Sequence, residues 1–247
     1  MTAVSEAVIL MAGSGSRLRG SAADPPKPLT PILGRPLISR TLDALVGAGI
    51  NVVNAVVGFQ SVSLAAALKP LVPPEMQLRL IENPDWQKQN GISLLAAARH
   101  VTAPFLLTMS DHLFDHAIVD LLLESSDFDQ LNLAIDKKLD SIFDLDDATK
   151  VQTRGDGIIA IEKNLAVYDA IDTGLFVCPR DIFDYLKRAQ RNGDCSLTDG
   201  VRLMAGDNKV RVIDIGEAWW HDVDTPQMLQ HAEKQLAARS NVRSVAK

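Results

Sequence analysis

The most informative feature of the sequence is a glycine-rich stretch followed at some distance by a lysine between prolines. Residues 13–17, Gly-Ser-Gly-Ser-Arg, come directly after the apolar run 7–11, and Lys27 stands in the segment DPPKP. The exposed backbone amides of such a loop can bind phosphate oxygens, and Arg17 can add charge-assisted hydrogen bonds. Prolines hold the backbone around Lys27 extended, which presents the lysine in a defined direction. The combination predicts a site for a phosphorylated ligand.

The spacing excludes two familiar phosphate-binding motifs. A Walker A loop has a lysine directly after its last glycine, whereas Gly15 is followed by Ser16-Arg17-Leu18. The dinucleotide fingerprint requires a small residue where Leu18 stands and an acidic residue after the second strand, where the sequence reads VVGFQ. A plain turn between a strand and a helix, and a solvent-exposed Lys27, are the alternative interpretations.

Carboxylates form the second chemical group. Asp111 ends the apolar run FLLTMSD, and Asp222 and Asp224 lie in WWHDVDTP, ahead of a final helix. Two carboxylates that converge from distant segments suit Mg²⁺ when substrate phosphates and water complete its coordination. The sequence leaves open whether Asp222 shares in metal binding. The alternatives are a transition-metal site in DHLFDH, residues 111–116, and simple roles as turn residues or helix caps.

A second cation follows in the other half of the chain. Lys163 ends a β-prone run, and the next such run carries Asp172-Thr173-Gly174. With Lys27 assigned to one phosphate group, a second fixed cation suits a second anionic substrate. The adjacent Trp219 and Trp220 point to opposite faces of a strand, so we expect at least one of them to pack in the core.

The pattern of elements explains how these residues meet. Short apolar strands alternate with helices over the first 140 residues, which predicts parallel strands with helices on both faces of the sheet. Ligands bind beyond the carboxyl ends of such strands, where the glycine loop and Asp111 fall. After residue 140, a hairpin at Gly155 and Gly157 precedes further strands and helices. This half is predicted to extend the same sheet and to carry the acceptor-binding elements.

Several of these elements have explicit predicted bounds. The strands are expected at 7–11, 51–57, 78–81, 105–110, 131–135, 172–177 and 210–215. The helices are expected at 36–46, 62–68, 92–100 and 118–124, with others beginning at Arg180, Ser196 and Pro226.

Length and composition set the outer limits. The 247 residues suit one domain, 1–247, with a first half over 1–140 that carries the glycine loop and a second half over 141–240 that carries Lys163. A net charge of −6 argues against a nucleic-acid partner, which favours a basic surface. Cys178 and Cys195 are expected to be thiols of a reducing compartment. The uncharged stretch 44–68 is broken by glycine and asparagine, so we expect no membrane insertion and a cytoplasmic location. A homodimer is compatible with the sequence.

Five segments together resemble the sugar-phosphate nucleotidyltransferases, and among these the inositol-1-phosphate cytidylyltransferases, near the phosphocholine cytidylyltransferases. The resemblance runs from about residue 6 to 236, and the order of glycine loop, KPL, SDH and DVDTP is specific for the superfamily and less so for the acceptor. The segments are AVILMAGSGSRLRG…KPLTPILGRPLI, NPDWQKQNGISLLAA, LLTMSDH, EKNLAVYDAIDTGLF and WWHDVDTPQML.

The resemblance implies a Rossmann-like α/β fold of the nucleotidyltransferase type, and it assigns roles by position. In that assignment Arg17 and Lys27 bind the phosphates of a nucleoside triphosphate, Lys163 meets the acceptor's phosphate, and Asp111 and Asp224 bind Mg²⁺. The nucleotide-binding residues would be Ala12, Gly13, Ser14, Gly15 and Ser16 in the loop and Asn90, Gly91 and Ser93 against the base and ribose. The segment 18–26 is expected to be mobile and to close over the nucleotide.

The implied reaction joins CTP to a sugar or polyol phosphate and releases pyrophosphate. Inositol 1-phosphate is the first candidate for this acceptor, and the reaction would be a step in phospholipid biosynthesis. Phosphocholine, a phosphonate or a hexose 1-phosphate as acceptor, and UTP as donor, remain open. So does a regulatory subunit that binds nucleotide without catalysis. Some relatives carry a membrane-embedded synthase on the same chain, and here we expect that synthase to be a separate chain.

Overall fold

The computed structural model describes residues 4–21, 23–102 and 104–245, with side chains up to residue 239. The strands are β1 Glu6–Met11, β2 Pro31–Ile32, β3 Arg35–Pro36, β4 Val52–Val57, β5 Gln77–Glu82, β6 Phe105–Met109, β7 His112–Phe114, β8 Leu131–Asp136, β9 Lys150–Arg154, β10 Gly157–Glu162, β11 Ala170–Cys178, β12 Val210–Asp214 and β13 Trp220–Asp222. The helices are α1 Leu37–Gly47, α2 Ser61–Leu68, α3 Asn90–Ala96, α4 His116–Ser125, α5 Ile182–Ala189, α6 Leu197–Gly206 and α7 Pro226–Val245.

One large sheet organises these elements. Its nine strands lie in the order β5-β4-β1-β6-β11-β8-β12-β10-β9. Seven of them run in one direction, because only β11 and β10 pair antiparallel with both of their neighbours in this order. The prediction of a mixed, mostly parallel sheet is therefore confirmed, and so is the hairpin, which β9 and β10 form. β11 lies between β6 and β8, so the second half of the chain interleaves with the first.

Helices cover both faces of the sheet, as the apolar strands predicted. In β1 the side chains of Ala7 and Ile9 pack into one cluster, with α1, α2 and α4. Those of Val8 and Leu10 pack into another, with α3, α5 and α6. A strand buried on both faces reads as a continuous apolar run, which is why the alternation typical of half-buried strands is absent here. A third, smaller cluster joins α7 to the start of α1.

A local signal sets the start of α6. α6 begins at a capping box, in which Ser196 Oγ accepts a hydrogen bond from Asp199 N at 3.0 Å and Asp199 Oδ2 accepts from Ser196 N at 2.9 Å. α3 differs from its predicted bounds of 92–100. It begins at Asn90, and after Ala96 the chain tightens into turns closed by bonds from Ala97 N to Leu94 O and from His100 N to Ala97 O.

A short strand pair that the sequence did not predict lies above the main sheet. β7 and β13 pair antiparallel, with His112 opposite Asp222 and Phe114 opposite Trp220. The pairing draws the segment after β6 and the segment before α7 together, although about a hundred residues separate them in sequence. No helix in the described part of the chain combines the length and the apolar composition that crossing a bilayer requires.

Candidate active site

The cleft that holds most of the predicted residues lies at the carboxyl ends of β1 and β6 and beside the start of β11, with a volume of about 510 Å³. Both halves of the chain contribute to its walls. Twelve of the thirteen predicted site residues line it, which means that all except Gly91 do so. The edge at which a mostly parallel sheet binds ligands is therefore the edge at which these residues meet.

Gly91 is the exception, and its assignment against a base or ribose stays a prediction. It is buried behind the wall of the cleft, where a Cβ atom would come within 2.6 Å of Cys195 O and 2.8 Å of Ser196 O. A glycine stands here because α3 packs against the backbone ahead of α6. Neighbouring Asn90 and Ser93 do line the cleft, although Asn90 Oδ1 also accepts a hydrogen bond from Leu197 N at 2.8 Å.

The glycine loop and Lys27, far apart in sequence, lie against each other. Gly15 has a φ of +62°, and a Cβ atom on it would lie 2.5 Å from Lys27 Cβ. The loop turns with bonds from Leu18 N and Arg19 N to Gly15 O, at 3.1 and 3.2 Å. Gly15 is thus needed both for its backbone conformation and for the passage of the lysine stem. Gly13, by contrast, has open space where a Cβ atom would stand.

Lys27 holds the two predicted metal ligands together. Its ammonium nitrogen bonds to Asp111 Oδ2 and also to Asp224 Oδ1. The lysine side chain is only 9% exposed, so this cation stands at the bottom of the cleft. The interpretation of Lys27 as a solvent-exposed surface residue is therefore wrong. The pairing of β7 with β13 brings the two carboxylates within reach of one nitrogen.

Lys27 and Asp111 each stabilise the charged form of the other. Burial lowers the pKa of Lys27, but the two carboxylates outweigh it and raise that pKa above its usual value. Burial raises the pKa of Asp111, and Lys27 and His112 reverse this and hold it well below the usual range. At neutral pH the lysine is therefore charged and Asp111 is ionised.

His112 joins Lys27, Asp111 and Asp224 through a contact with Asp111. Its Nδ1 lies 2.8 Å from Asp111 Oδ1, and its ring stacks on that of Trp220 with centroids 6.1 Å apart. Burial lowers the pKa of His112, whereas its bond to Asp111 raises it, with a net increase. Gly174, at φ +73°, leaves room for the imidazole, because a Cβ atom there would lie 2.4 Å from Nε2.

The donor set fits a hard divalent cation. Asp111 and Asp224 reach one point that a cation, the Lys27 ammonium, already occupies. Among the described residues no three His, Cys, Asp or Glu side chains form a ready-made metal site. Two carboxylates can hold a divalent cation such as Mg²⁺ when phosphates and water complete its shell. The alternative transition-metal site in 111–116 is not supported, since the Asp115 carboxylate instead accepts from Trp219 N and pairs with Arg239.

The other two predicted cations lie at the mouth of the cleft and share a partner that the sequence did not identify. Arg17 Nη1 lies 2.6 Å from Asp147 Oδ2, and Lys163 bonds to Asp147 Oδ1. Arg17 Nη2 also reaches Asp224 Oδ2, at 2.8 Å. Asp147 lies among several acids in the run DLDDATK, and no local pattern distinguishes it from them.

Two further carboxylates line the cleft near the start of β11. Burial raises the pKa of Asp172 to about 6 and that of Asp222 to about 6. Asp172 Oδ1 accepts a hydrogen bond from Gly174 N at 2.7 Å, where a register shift interrupts the pairing of β11 with β8. Both tryptophans are half-buried, since Trp220 lines the cleft beside these carboxylates and Trp219 packs against the third cluster, so the expectation that at least one of them packs in the core is met only by partial burial.

Trp86 is another residue that the sequence reasoning passed over. It lines the cleft near Asn90, and its ring meets that of Phe59 edge-on at 5.3 Å. Gly58 permits this position, because a Cβ atom there would lie 2.3 Å from Trp86 Cβ. The segment NPDWQKQNG belongs to the resemblance, and nothing in its spacing marks the tryptophan as a wall of the site.

The segment 18–26, expected to be mobile, is anchored at its start. Leu18 is buried, and Arg19 donates a hydrogen bond to Asp24 O at 2.9 Å with its guanidinium 5.0 Å from the centre of the Phe59 ring. Residue 22 lies outside the described residues. These contacts count against a segment that is free as a whole, and closure over a nucleotide stays a prediction.

Comparison with known proteins identifies the family. The sequence profile of the MobA-like NTP transferase domain matches residues 7–144, more than half of the chain. The chain belongs to this family. The matched region contains the glycine loop, Lys27 and Asp111, so the predicted relationship to the nucleotidyltransferases is confirmed.

Relatives of this MobA-like chain extend the likeness beyond residue 144. It is 35% identical over 93% of its length to a bifunctional IPC transferase and DIPP synthase of Rubrobacter xylanophilus, covering 51% of that protein. It is 29% identical over 89% of its length to a CMP-5'-(3-aminopropyl)phosphonate synthase of Streptomyces rubellomurinus, covering 37% of that protein. The chain thus spans about half or less of the length of these relatives.

A solved structure agrees with the fold. The inositol-1-phosphate CTP transferase from T. maritima superposes with a TM-score of 0.82 and 25% identity, over 92% of this chain and 91% of that one. The predicted Rossmann-like fold of the nucleotidyltransferase type is therefore confirmed.

Proposed function

We propose that the chain is a Mg²⁺-dependent cytidylyltransferase that couples CTP to a polyol phosphate, with inositol 1-phosphate as the first candidate, and releases pyrophosphate. The acceptor and the donor base come from the names of the relatives, and the chemistry comes from the cleft. The proposal places the protein in the cytoplasm, where both substrates are dissolved.

One observation carries the proposal. Three cations assigned to phosphate groups, Arg17, Lys27 and Lys163, meet the two predicted metal carboxylates in one cleft formed by both halves of the chain. A site that has to hold two polyanions side by side needs cations at fixed positions for each of them. A binding protein for a single nucleotide would not need a separate cation on the acceptor side.

The reaction follows from that arrangement. A phosphate oxygen of the acceptor bonds to the α-phosphorus of CTP. The bond from that phosphorus to the oxygen bridging to the β-phosphate breaks, and the electron pair leaves with pyrophosphate. Because the second pKa of a phosphate monoester lies near 6, the acceptor is largely dianionic at neutral pH and needs no general base. The protein contributes chiefly by positioning the two substrates and by neutralising charge.

Each group has a separate part in this. The loop 12–16 binds triphosphate oxygens through its amides, and Arg17 and Lys27 neutralise the departing pyrophosphate. Lys163 holds the acceptor phosphate in line with the α-phosphorus. Asp111 and Asp224 would hold Mg²⁺, which when bound would screen the negative charge of the triphosphate. Trp86 offers a flat surface for the base.

The direct test is release of pyrophosphate from CTP or UTP with a panel of acceptors: inositol 1-phosphate, glucose 1-phosphate, phosphocholine and 3-aminopropylphosphonate. We expect CTP with inositol 1-phosphate to give the highest kcat/KM. Since one relative is named as a phosphonate synthase, the phosphonate is the second candidate acceptor. Higher kcat/KM with UTP, or with another acceptor, would replace the assigned substrate. No release with any pair would favour a nucleotide-binding subunit without catalysis.

A further inference from the structure

The ion pairs of the cleft form one continuous chain of alternating charge. Each cation contacts a carboxylate on either side or stands at an end of the series. The cations that are to bind phosphate are therefore neutralised by the protein's own carboxylates. In order across the cleft the side chains are Lys163, Asp147, Arg17, Asp224, Lys27, Asp111 and His112.

Asp147 differs from the other carboxylates of this chain. Asp111 and Asp224 lie against the buried Lys27 and have a proposed metal to bind. Asp147 instead lies at the mouth, between two cations that are 55% and 51% exposed, Arg17 and Lys163. Its two oxygens divide between them, one to each cation, as two oxygens of a phosphate group would. Lys163 and Arg17 together hold the pKa of Asp147 below its usual value.

We propose that Asp147 is an internal substitute for substrate phosphate, and that its displacement couples the binding of the two substrates. This inference rests on the proposed function, in which Arg17 serves the triphosphate and Lys163 the acceptor phosphate. Asp147 is therefore a positioning residue: it acts on the substrates through the two cations.

The coupling follows from the sharing of one carboxylate. A phosphate that binds Lys163 competes with Asp147 for the ammonium and repels it, and this weakens its bond to Arg17 as well. The second anion then binds a cation whose bond to Asp147 has already been weakened. By linkage, the effect is equal in the opposite order of binding. Because exposed ion pairs are weak, we expect the two pairs together to hold back anion binding by between about twofold and thirtyfold.

The test uses simple anions, so it does not depend on the identity of base or acceptor. Inorganic tripolyphosphate is titrated calorimetrically into wild type, Asp147→Asn and Asp146→Asn, with and without saturating inorganic phosphate, in one Mg²⁺-containing buffer. Asp146 is the adjacent exposed acid, so its variant controls for the change in net charge. We expect Asp147→Asn alone to bind tripolyphosphate several-fold more tightly. We also expect phosphate to assist tripolyphosphate less in this variant than in wild type.

Two results would overturn the inference. Affinity of Asp147→Asn equal to or below that of Asp146→Asn would show that Asp147 does not compete with phosphate. An unchanged effect of inorganic phosphate would show that it does not couple the two sites. Thermal unfolding of each variant, and a second variant Asp147→Ser, separate these results from a folding defect. Since no turnover is measured, absence of cytidylyl transfer would leave this test intact.

Discussion

At the scale of single residues, the ammonium of Lys27 between Asp111 and Asp224 is the decisive contact. A buried lysine depends on the carboxylates that it bonds to, because an unpaired buried charge costs several kcal/mol. The same two carboxylates are those that the proposed mechanism gives to Mg²⁺. Removing either carboxylate should therefore affect both metal binding and turnover.

The first prediction concerns Asp111. Asp111→Asn keeps the shape and one oxygen acceptor but removes the charge, so we expect pyrophosphate release to fall by about a thousandfold, the scale of losing one electrostatic contact to the reacting phosphates. Circular dichroism should show a folded protein with a lower melting temperature. Turnover within a few-fold of wild type would contradict the metal assignment. Asp115→Asn is the control, since Asp115 pairs with Arg239 away from the cleft.

The second prediction concerns Asp172, whose pKa burial raises to about 6. In the unfolded chain its pKa is near 3.9, so the folded state binds this proton more tightly, and stability falls as pH rises from about 4 to about 6. Asp172→Asn keeps an oxygen to accept from Gly174 N and carries no charge. We expect it to be more stable than wild type by about 1 to 3 kcal/mol at pH 7.5.

The pH dependence of that difference is the check. In chemical denaturation the advantage of Asp172→Asn should shrink as pH falls below 6 and vanish near pH 4. A constant difference across this range would mean that the charge of Asp172 is not its source. Asp169→Asn serves as the control, because the Asp169 carboxylate is exposed and bonds to Thr153 instead.

At the scale of elements, the glycine loop shows which features of the site the sequence can predict. The sequence predicted that residues 12–17 and Lys27 serve one phosphate ligand, and both line the cleft. It did not predict that the Lys27 stem passes against Gly15, because a contact of that kind depends on how the loop returns in space. Asp147 was missed for the same reason: a loop acid has no local signature. Residues that belong to a recognisable motif were found, and Asp147, which only the path of its loop places in the site, was not.

The third prediction separates the two glycines of this loop. Gly15→Ala places a Cβ atom 2.5 Å from Lys27 Cβ at a φ of +62°, so we expect it to lower the melting temperature and to displace the lysine. Gly13→Ala meets open space and should fold normally. Because Gly13 lines the cleft in the loop proposed to bind phosphate, the added methyl group should weaken tripolyphosphate binding without a loss of stability. Equal melting temperatures for the two variants would contradict the role given to Gly15.

At the scale of the whole molecule, the order of the strands ties the two halves together. β8 belongs to the first 140 residues, yet its neighbours β11 and β12 belong to the rest. The sequence predicted the strands and the helices on both faces because burial patterns are local. It treated the second half as an extension added to the first, because strand order depends on long-range pairing that periodicity does not record.

The last prediction follows from this interleaving: we propose that residues 1–247 unfold as one cooperative unit. A fragment of residues 1–140 would leave the edge of β6 open and β8 without either neighbour, and the cluster around Phe105 would lose α5 and α6. We expect the fragment to show little ordered structure by circular dichroism and no cooperative transition.

The three tryptophans allow a sharper test in the full chain. Trp86 reports on the first half, whereas Trp219 and Trp220 report on the second. Denaturation followed in Trp219→Phe/Trp220→Phe and in Trp86→Phe, each against circular dichroism of the same variant, should give coincident transitions. Fluorescence and circular dichroism midpoints that separate, or a fragment that folds by itself, would show two units.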